Sequence, residues 1–173
     1  MKPNVLFFEN FVSDALELFR FCTSQIAWDN TMNARQTASF GVPYNYSQMS
    51  YPAAPIPTPL QKLMDDLEEE LPFHPNNCLA NFYPDGGAKM GFHFDSLENL
   101  VEGTGVAIVS LGASRPLTFR LRKDKSVEHA VEMTSGSLLY MPPEVQNEWL
   151  HGLLKSEEEV GTRISLTFRQ MVE

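Results

Sequence analysis

The chain has 173 residues, 43% of them apolar, and carries 13 Lys and Arg against 22 Asp and Glu, for a formal net charge of −9. This size suits one domain around one core and excludes a disordered regulator. The acidic balance offers no bulk attraction to nucleic acid or an acidic membrane, and two cysteines, Cys22 and Cys78, are too few for a disulfide framework.

The apolar residues after Met1 are interrupted by Glu9, Asp14 and Glu17, which fits neither a signal peptide nor a membrane span. A cytoplasmic monomer without membrane contact is expected. From Ser13 to Ile26, the residues Leu16, Phe19, Cys22 and Ile26 recur near the helical period behind a capping Ser13 or Asp14, which predicts an amphipathic helix. Residues 30–59 change character. Five prolines, with Arg35, Phe40, Gly41, Tyr44, Tyr46 and Tyr51 in no sustained period, predict a loop-rich aromatic lid with short strands. Thr58-Pro59-Leu60-Gln61 predicts a helix start, with Thr58 and Gln61 as a capping box and Pro59 at the first turn. Leu60, Leu63, Met64, Leu67 and Leu71 then share one face, opposite a solvated acidic face.

From Asn77 the period becomes two. Cys78–Tyr83, Gly105–Leu111, Leu117–Leu121, Ala130–Met133, Ser137–Met141, Glu148–Leu150 and Arg163–Arg169 read as strands separated by Gly- and Pro-rich turns, among them Pro142-Pro143. Short strands at this spacing predict a double-sheet jelly roll. The expected organisation is a single α+β domain, with helices and lid in residues 1–76 and the β-core in 77–173.

Gly91-Phe92-His93-Phe94-Asp95 is the first chemical signal. Residues two apart on an extended segment point the same way, so His93 and Asp95 would present an imidazole and a carboxylate to one point. His151 follows 56 residues after Asp95, at the end of an expected strand. Two histidines and one carboxylate on one face form the ligand set of non-heme Fe(II) oxygenases, whose open positions take a bidentate cosubstrate and O₂. His74 and His129 have no carboxylate at metal-ligand spacing and read as surface residues. Arg163-Ile164-Ser165-Leu166-Thr167-Phe168-Arg169 is the next signal. Its two arginines lie on one strand face and its apolar residues on the other. A guanidinium pairs a carboxylate bidentately, so a dicarboxylate suits that face; the bland alternative is a solvated strand.

These segments together resemble the AlkB family of Fe(II)/2-oxoglutarate dioxygenases from about Ala34 to Arg169. Arg35-Gln36-Thr37-Ala38-Ser39-Phe40-Gly41 resembles the family's R-x-x-A-x-aromatic-G segment, with Ala34 in place of its preceding proline. Tyr44-Asn45-Tyr46-Ser47 is similar to its Y-x-Y-S, and Asn81-Phe82-Tyr83-Pro84-Asp85-Gly86 to its N-x-Y-x-x-G. Arg163 to Arg169 reads R-x-x-L-T-F-R, the most specific match. The resemblance implies a double-stranded β-helix core. It implies Fe(II) held by His93, Asp95 and His151, and 2-oxoglutarate held by Arg163, Tyr83, Asn81 and Arg169. By the same resemblance, Arg35, Phe40, Tyr44 and Tyr46 would meet substrate. The implied chemistry couples decarboxylation of 2-oxoglutarate by O₂ to hydroxylation of a C–H bond. Where that carbon is bonded to nitrogen, the hemiaminal collapses and releases an aldehyde.

Three readings compete: a demethylase of alkylated DNA or RNA bases acting in repair, a small-molecule hydroxylase, and a non-enzymatic β-domain. Nucleic-acid-repairing members commonly carry further acidic residues just after the H-x-D, where this chain has Ser96-Leu97-Glu98. That departure and the charge of −9 favour the small molecule. The family resemblance favours the nucleobase; the aromatic lid of Phe40, Tyr44 and Tyr46 can stack a flipped base, equally cover a small hydrophobic substrate, or simply pack. Complete iron and 2-oxoglutarate residues argue against the non-enzymatic reading. Arg115, Arg120, Arg122, Lys123 and Lys125 form the one basic cluster, expected on a solvated strand and turn.

Overall fold

A computed structural model describes residues 1–32, 34–46 and 49–173, without the side chains of Tyr46 and Met49. The expected contact of Tyr46 with substrate, and Ser47 of its motif, therefore lie outside the described residues. In chain order the elements are β1 (Leu6–Phe8), α1 (Ala15–Gln25), β2 (Gln36–Gly41), β3 (Tyr44–Tyr46), β4 (Met49–Tyr51), α2 (Thr58–Glu70), β5 (Asn77–Tyr83) and β6 (Met90–His93). They continue with β7 (Val106–Gly112), β8 (Arg115–Leu121), β9 (Glu128–Met133), β10 (Leu138–Met141), α3 (Pro143–Glu148), β11 (Trp149–Leu153) and β12 (Arg163–Arg169).

Strand alternation builds the layers. In the central strand β12, Ile164, Leu166 and Phe168 enter the core under the helices, while Arg163, Ser165, Thr167 and Arg169 face the other way. Its neighbours β5 and β7 alternate in step, with Cys78 and Ala80, and Ala107, Val109 and Leu111, on the helix side. The larger sheet runs β1-β10-β7-β12-β5-β2 and the smaller one β6-β11-β8-β9, with every neighbouring pair antiparallel. Val106, Leu139 and Met141 of the larger sheet pack on Phe119, Leu121 and Trp149 of the smaller. This is the jelly-roll sandwich expected from the spacing. The hairpin β3-β4 forms a separate two-stranded piece, joined to the larger sheet by the Gly41–Ala54 bridge and by a hydrogen bond between the Tyr51 and Thr37 hydroxyls. Among the described residues, no helix is long and apolar enough to cross a membrane.

Several expectations need correction. Leu16 is 59% exposed, and Leu18 takes its place beside Cys22, because the apolar stripe of α1 is rotated from the predicted one. Thr58 makes no capping hydrogen bond; Pro57 occupies the N-cap, and the Gln61 side chain turns outward to Asp65. The Pro142-Pro143 turn instead opens the helix α3, with Pro143 in its first turn, where a missing N–H costs nothing. The division at residue 76 does not follow the sheets: β1 and β2 are edge strands of the larger one. Gly41 ends β2 with φ 88°, and a Cβ there would stand 2.1 Å from the Asn76 carbonyl oxygen, so the glycine lets the chain leave the sheet for the lid hairpin.

Candidate metal centre and anion pocket

The H-x-D motif straddles the end of a strand. His93 closes β6, which pairs with β11 so that His93 and His151 stand opposite one another. Asp95 follows, outside the ladder. The carboxylate oxygens lie 3.7 Å from His93 Nε2 and 3.7 Å from His151 Nε2. One nitrogen or oxygen atom from each of the three residues falls within 4.8 Å of the others, and they are the one such His, Cys or carboxylate group among the described residues.

The protonation states suit a cation. His93 Nδ1 lies 2.8 Å from the Gly91 carbonyl, which can only accept, so Nδ1 donates there and Nε2 is the ring nitrogen that faces the cluster. Burial pushes the His151 imidazole down to about 4, which keeps it neutral and able to donate a lone pair. Burial alone would raise the Asp95 carboxyl, but the Arg169 guanidinium beside it leads the opposing effects, which hold it below the ordinary carboxylate value. Two imidazole nitrogens and an ionised carboxylate, with the cavity on their remaining side, fit a divalent metal with open positions.

That cavity lies between the sheets, and its lining includes Leu79, Asn81, Tyr83, the three clustered residues, Arg163, Ser165, Thr167 and Arg169. Arg163 is 2% exposed, donates to Ser110 Oγ at 2.7 Å and lies over the Tyr83 ring at 5.3 Å. Its Nε has no hydrogen-bond partner among the described residues, and no carboxylate reaches it there. Burial lowers its guanidinium from the ordinary value. A buried cation without a counter-charge is costly, and an anionic guest would relieve that cost. Arg169 contacts Asp95 Oδ1 at 3.4 Å through Nη2, while its Nη1 is buried without a partner.

The remaining candidates divide. Asn81 lines the cavity. Its Oδ1 accepts from Arg35 Nε at 2.8 Å; arginine only donates, so the amide orientation is set and the NH₂ is left for other partners. Arg35 is itself buried and reaches the cavity through Asn81. Tyr44 lies under the Arg169 guanidinium, 4.7 Å from its ring centre. Phe40 shares the parity of Ala38 on β2 and packs half-buried on the helix-side core, away from the cavity. Of the basic cluster, Arg115 is buried and donates to the carbonyls of Ala88 and Leu154, Arg120 pairs with Glu128 at 2.6 Å, and Arg122 donates to two main-chain carbonyls. Glu98 is exposed in a turn and does not join the metal cluster.

A family model described as the 2OG-Fe(II) oxygenase superfamily matches residues 9–169. The chain belongs to that superfamily. The superfamily implies Fe(II), 2-oxoglutarate and O₂, and the donor set and the buried guanidiniums fit the first two. Mouse "DNA oxidative demethylase ALKBH2" is 31% identical over 139 residues, covering 76% of this chain and 58% of the relative. Rat "Alpha-ketoglutarate-dependent dioxygenase alkB homolog 3" is 30% identical over 173 residues, covering 88% and 58%. The chain thus spans little more than half of these relatives. In shape it is similar to OsALKBH1, with a TM-score of 0.74 at 19% identity over 98% of this chain and 99% of that one. It is also similar to a Pseudomonas putida prolyl-4-hydroxylase, with a TM-score of 0.59 at 17% identity over 99% and 95%. At these identities the structural likeness speaks to fold alone. Within this oxygenase, two polar residues carry contacts that the sequence alone did not assign to them. Ser110 sits inside the apolar run of β7, and Gln146 sits in the unexpected helix α3.

Proposed function

We propose that this oxygenase acts as a single-domain, monomeric Fe(II)/2-oxoglutarate dioxygenase in a reducing cytoplasm. We further propose that it oxidatively demethylates N-alkylated nucleobases in DNA or RNA, as in repair of alkylation. The observation that carries the activity is one cavity holding both a His93–Asp95–His151 cluster and the carboxylate-free buried guanidinium of Arg163. In this reading His93, Asp95 and His151 hold the iron. Arg163, with Ser110 and Tyr83 beside it, takes the distal carboxylate of 2-oxoglutarate, and Arg169 and Asn81 serve its metal-proximal end. The bound iron, with 2-oxoglutarate and O₂, supplies oxidation of a substrate C–H bond as 2-oxoglutarate becomes succinate and CO₂. The protein orients those groups and excludes bulk water from them.

For the substrate, support comes from the mouse relative named a DNA oxidative demethylase, at 31% identity, and from the lid. Tyr44 packs half-buried beneath Arg169, and Tyr46 shares its hairpin strand. One observation favours a small metabolite instead: Arg115, Arg120 and Arg122 are each engaged within the protein, leaving few cations for phosphates. Succinate release decides between them. Methylated oligonucleotides should stimulate it and yield formaldehyde. A metabolite pool that stimulates it while oligonucleotides do not would select the second reading.

A further inference from the structure

The strand ladder that holds His93 and His151 stops before Asp95, so register alone does not aim the carboxylate. Its place is set by other contacts. The Asp95 amide N–H donates to Gln146 Oε1 at 2.8 Å, and Gln146 is 1% exposed. An N–H only donates, so the atom it meets is the amide oxygen; the amide nitrogen then contacts Met141 Sδ at 3.6 Å. From the outside, Arg122 Nη1 donates to the Gln146 and Asn147 carbonyls at 3.1 and 3.2 Å. These belong to the last turn of α3, where carbonyls lack helical partners. The same guanidinium covers the Phe94 ring at 4.4 Å. Gln146 and Arg122 therefore grip the dipeptide Phe94-Asp95 from its two sides.

We infer that Gln146 is a positioning residue that sets the Asp95 carboxylate between the two histidines, and that Arg122 holds Gln146 and Phe94 in place from the surface. The inference rests on reading His93, Asp95 and His151 as metal ligands. Partners behind a ligand fix its orientation and commonly change metal affinity by roughly 10–100-fold.

The test is titration of the metal-free protein with Co(II), followed by its visible absorption, with thermal unfolding recorded alongside. Gln146→Leu keeps side-chain bulk and removes the acceptor. It should bind Co(II) roughly 10–100-fold more weakly and with shifted absorption bands, a change that lost stability alone would not produce. Arg122→Leu should shift both readouts in the same direction by less. The double variant should be no worse than Gln146→Leu, because both act through one path. A cooperatively folded Gln146→Leu with wild-type affinity and spectrum overturns the inference. If Gln146→Leu does not fold, Arg122→Leu decides: weakened binding with shifted bands supports the inference, and wild-type behaviour overturns it. A wild-type chain that binds no Co(II), or a His151→Ala variant that binds it as tightly as wild type, would instead defeat the metal reading on which the inference rests.

Discussion

His93 and His151 are direct cross-strand partners on β6 and β11, with ring centroids 4.3 Å apart. Opposed residues of an antiparallel pair project from the same face, so one register supplies both imidazoles. A slip of one residue would turn one ring to the outer face of the small sheet. Beyond the His151–His93 pair the register shifts before Leu153 meets Met90.

His151→Ala should therefore abolish the metal site rather than weaken it. The loss of Co(II) or Fe(II) affinity should exceed the roughly 10–100-fold typical of groups behind a ligand, because one of three donors is gone. Calorimetric titration under argon checks this. Retained tight binding would mean that the three side chains do not share an ion.

Acid should destabilise the metal-free protein through the same residue. His151 titrates at about 4 in the fold, against about 6.5 in an unfolded chain. Between those values the unfolded state binds the extra proton, so stability falls as pH drops from about 6.5 to about 4 and is fully present above that window. The contribution is on the order of 3 kcal/mol for a group this buried. Asp95, whose carboxyl is held low, acts in a separate, more acidic window: its contribution is lost only as pH falls through its folded value. Denaturant unfolding of the metal-free chain across pH 4–7 should show the slope, and His151→Leu should remove most of it.

Arg163→Ala should weaken 2-oxoglutarate by roughly 2–5 kcal/mol, the range for losing one partner of a buried charge pair. Metal affinity without cosubstrate should change much less, because Arg163 contacts Ser110 and Tyr83 rather than the cluster. Arg163→Lys should recover part of the loss, since a point charge cannot supply the fork. Ser110→Ala should cost about 1 kcal/mol. Unchanged 2-oxoglutarate affinity in Arg163→Ala would remove this arginine from the pocket's chemistry.

Strong local periodicity made parts of the molecule readable. The bounds of β12 and the apolar face of α2 match their patterns, because each repeats over several turns or alternations. The three-residue β1 is too short to show a period, and its place beside β10 is a long-range pairing with no local cause. Phe40 looked like a lid aromatic until β2 joined the sheet, after which alternation sent it to the helix side. At the site, His93, Asp95 and His151 were visible because few residue types ligate metals. Ser110 and Gln146 were not, because a serine in an apolar strand and a glutamine in a short helix acquire meaning only from the tertiary neighbours Arg163 and Asp95.

The last prediction concerns substrate and separates two aromatics that looked alike in sequence. Phe40→Ala removes packing from the half-buried helix-side core, so it should lower the unfolding free energy by less than the roughly 3–5 kcal/mol of a fully buried phenylalanine. It should leave the substrate KM unchanged. Tyr44→Ala removes the ring beneath Arg169, between the lid and the cluster. It should slow turnover of a methylated oligonucleotide while substrate-independent decay of 2-oxoglutarate continues. Binding of that oligonucleotide should be weak and only shallowly salt-dependent. Each neutralised phosphate on a single strand contributes a slope of about −0.7. Arg120 is paired with Glu128 and Arg115 is internal, so few such contacts are available. A steep slope would show that Lys123, Lys125 and the neighbouring cations are recruited to phosphates. Formaldehyde release stimulated by a metabolite and by no oligonucleotide would mean that the lid covers a small molecule, and that Tyr44 serves Arg169 rather than a base.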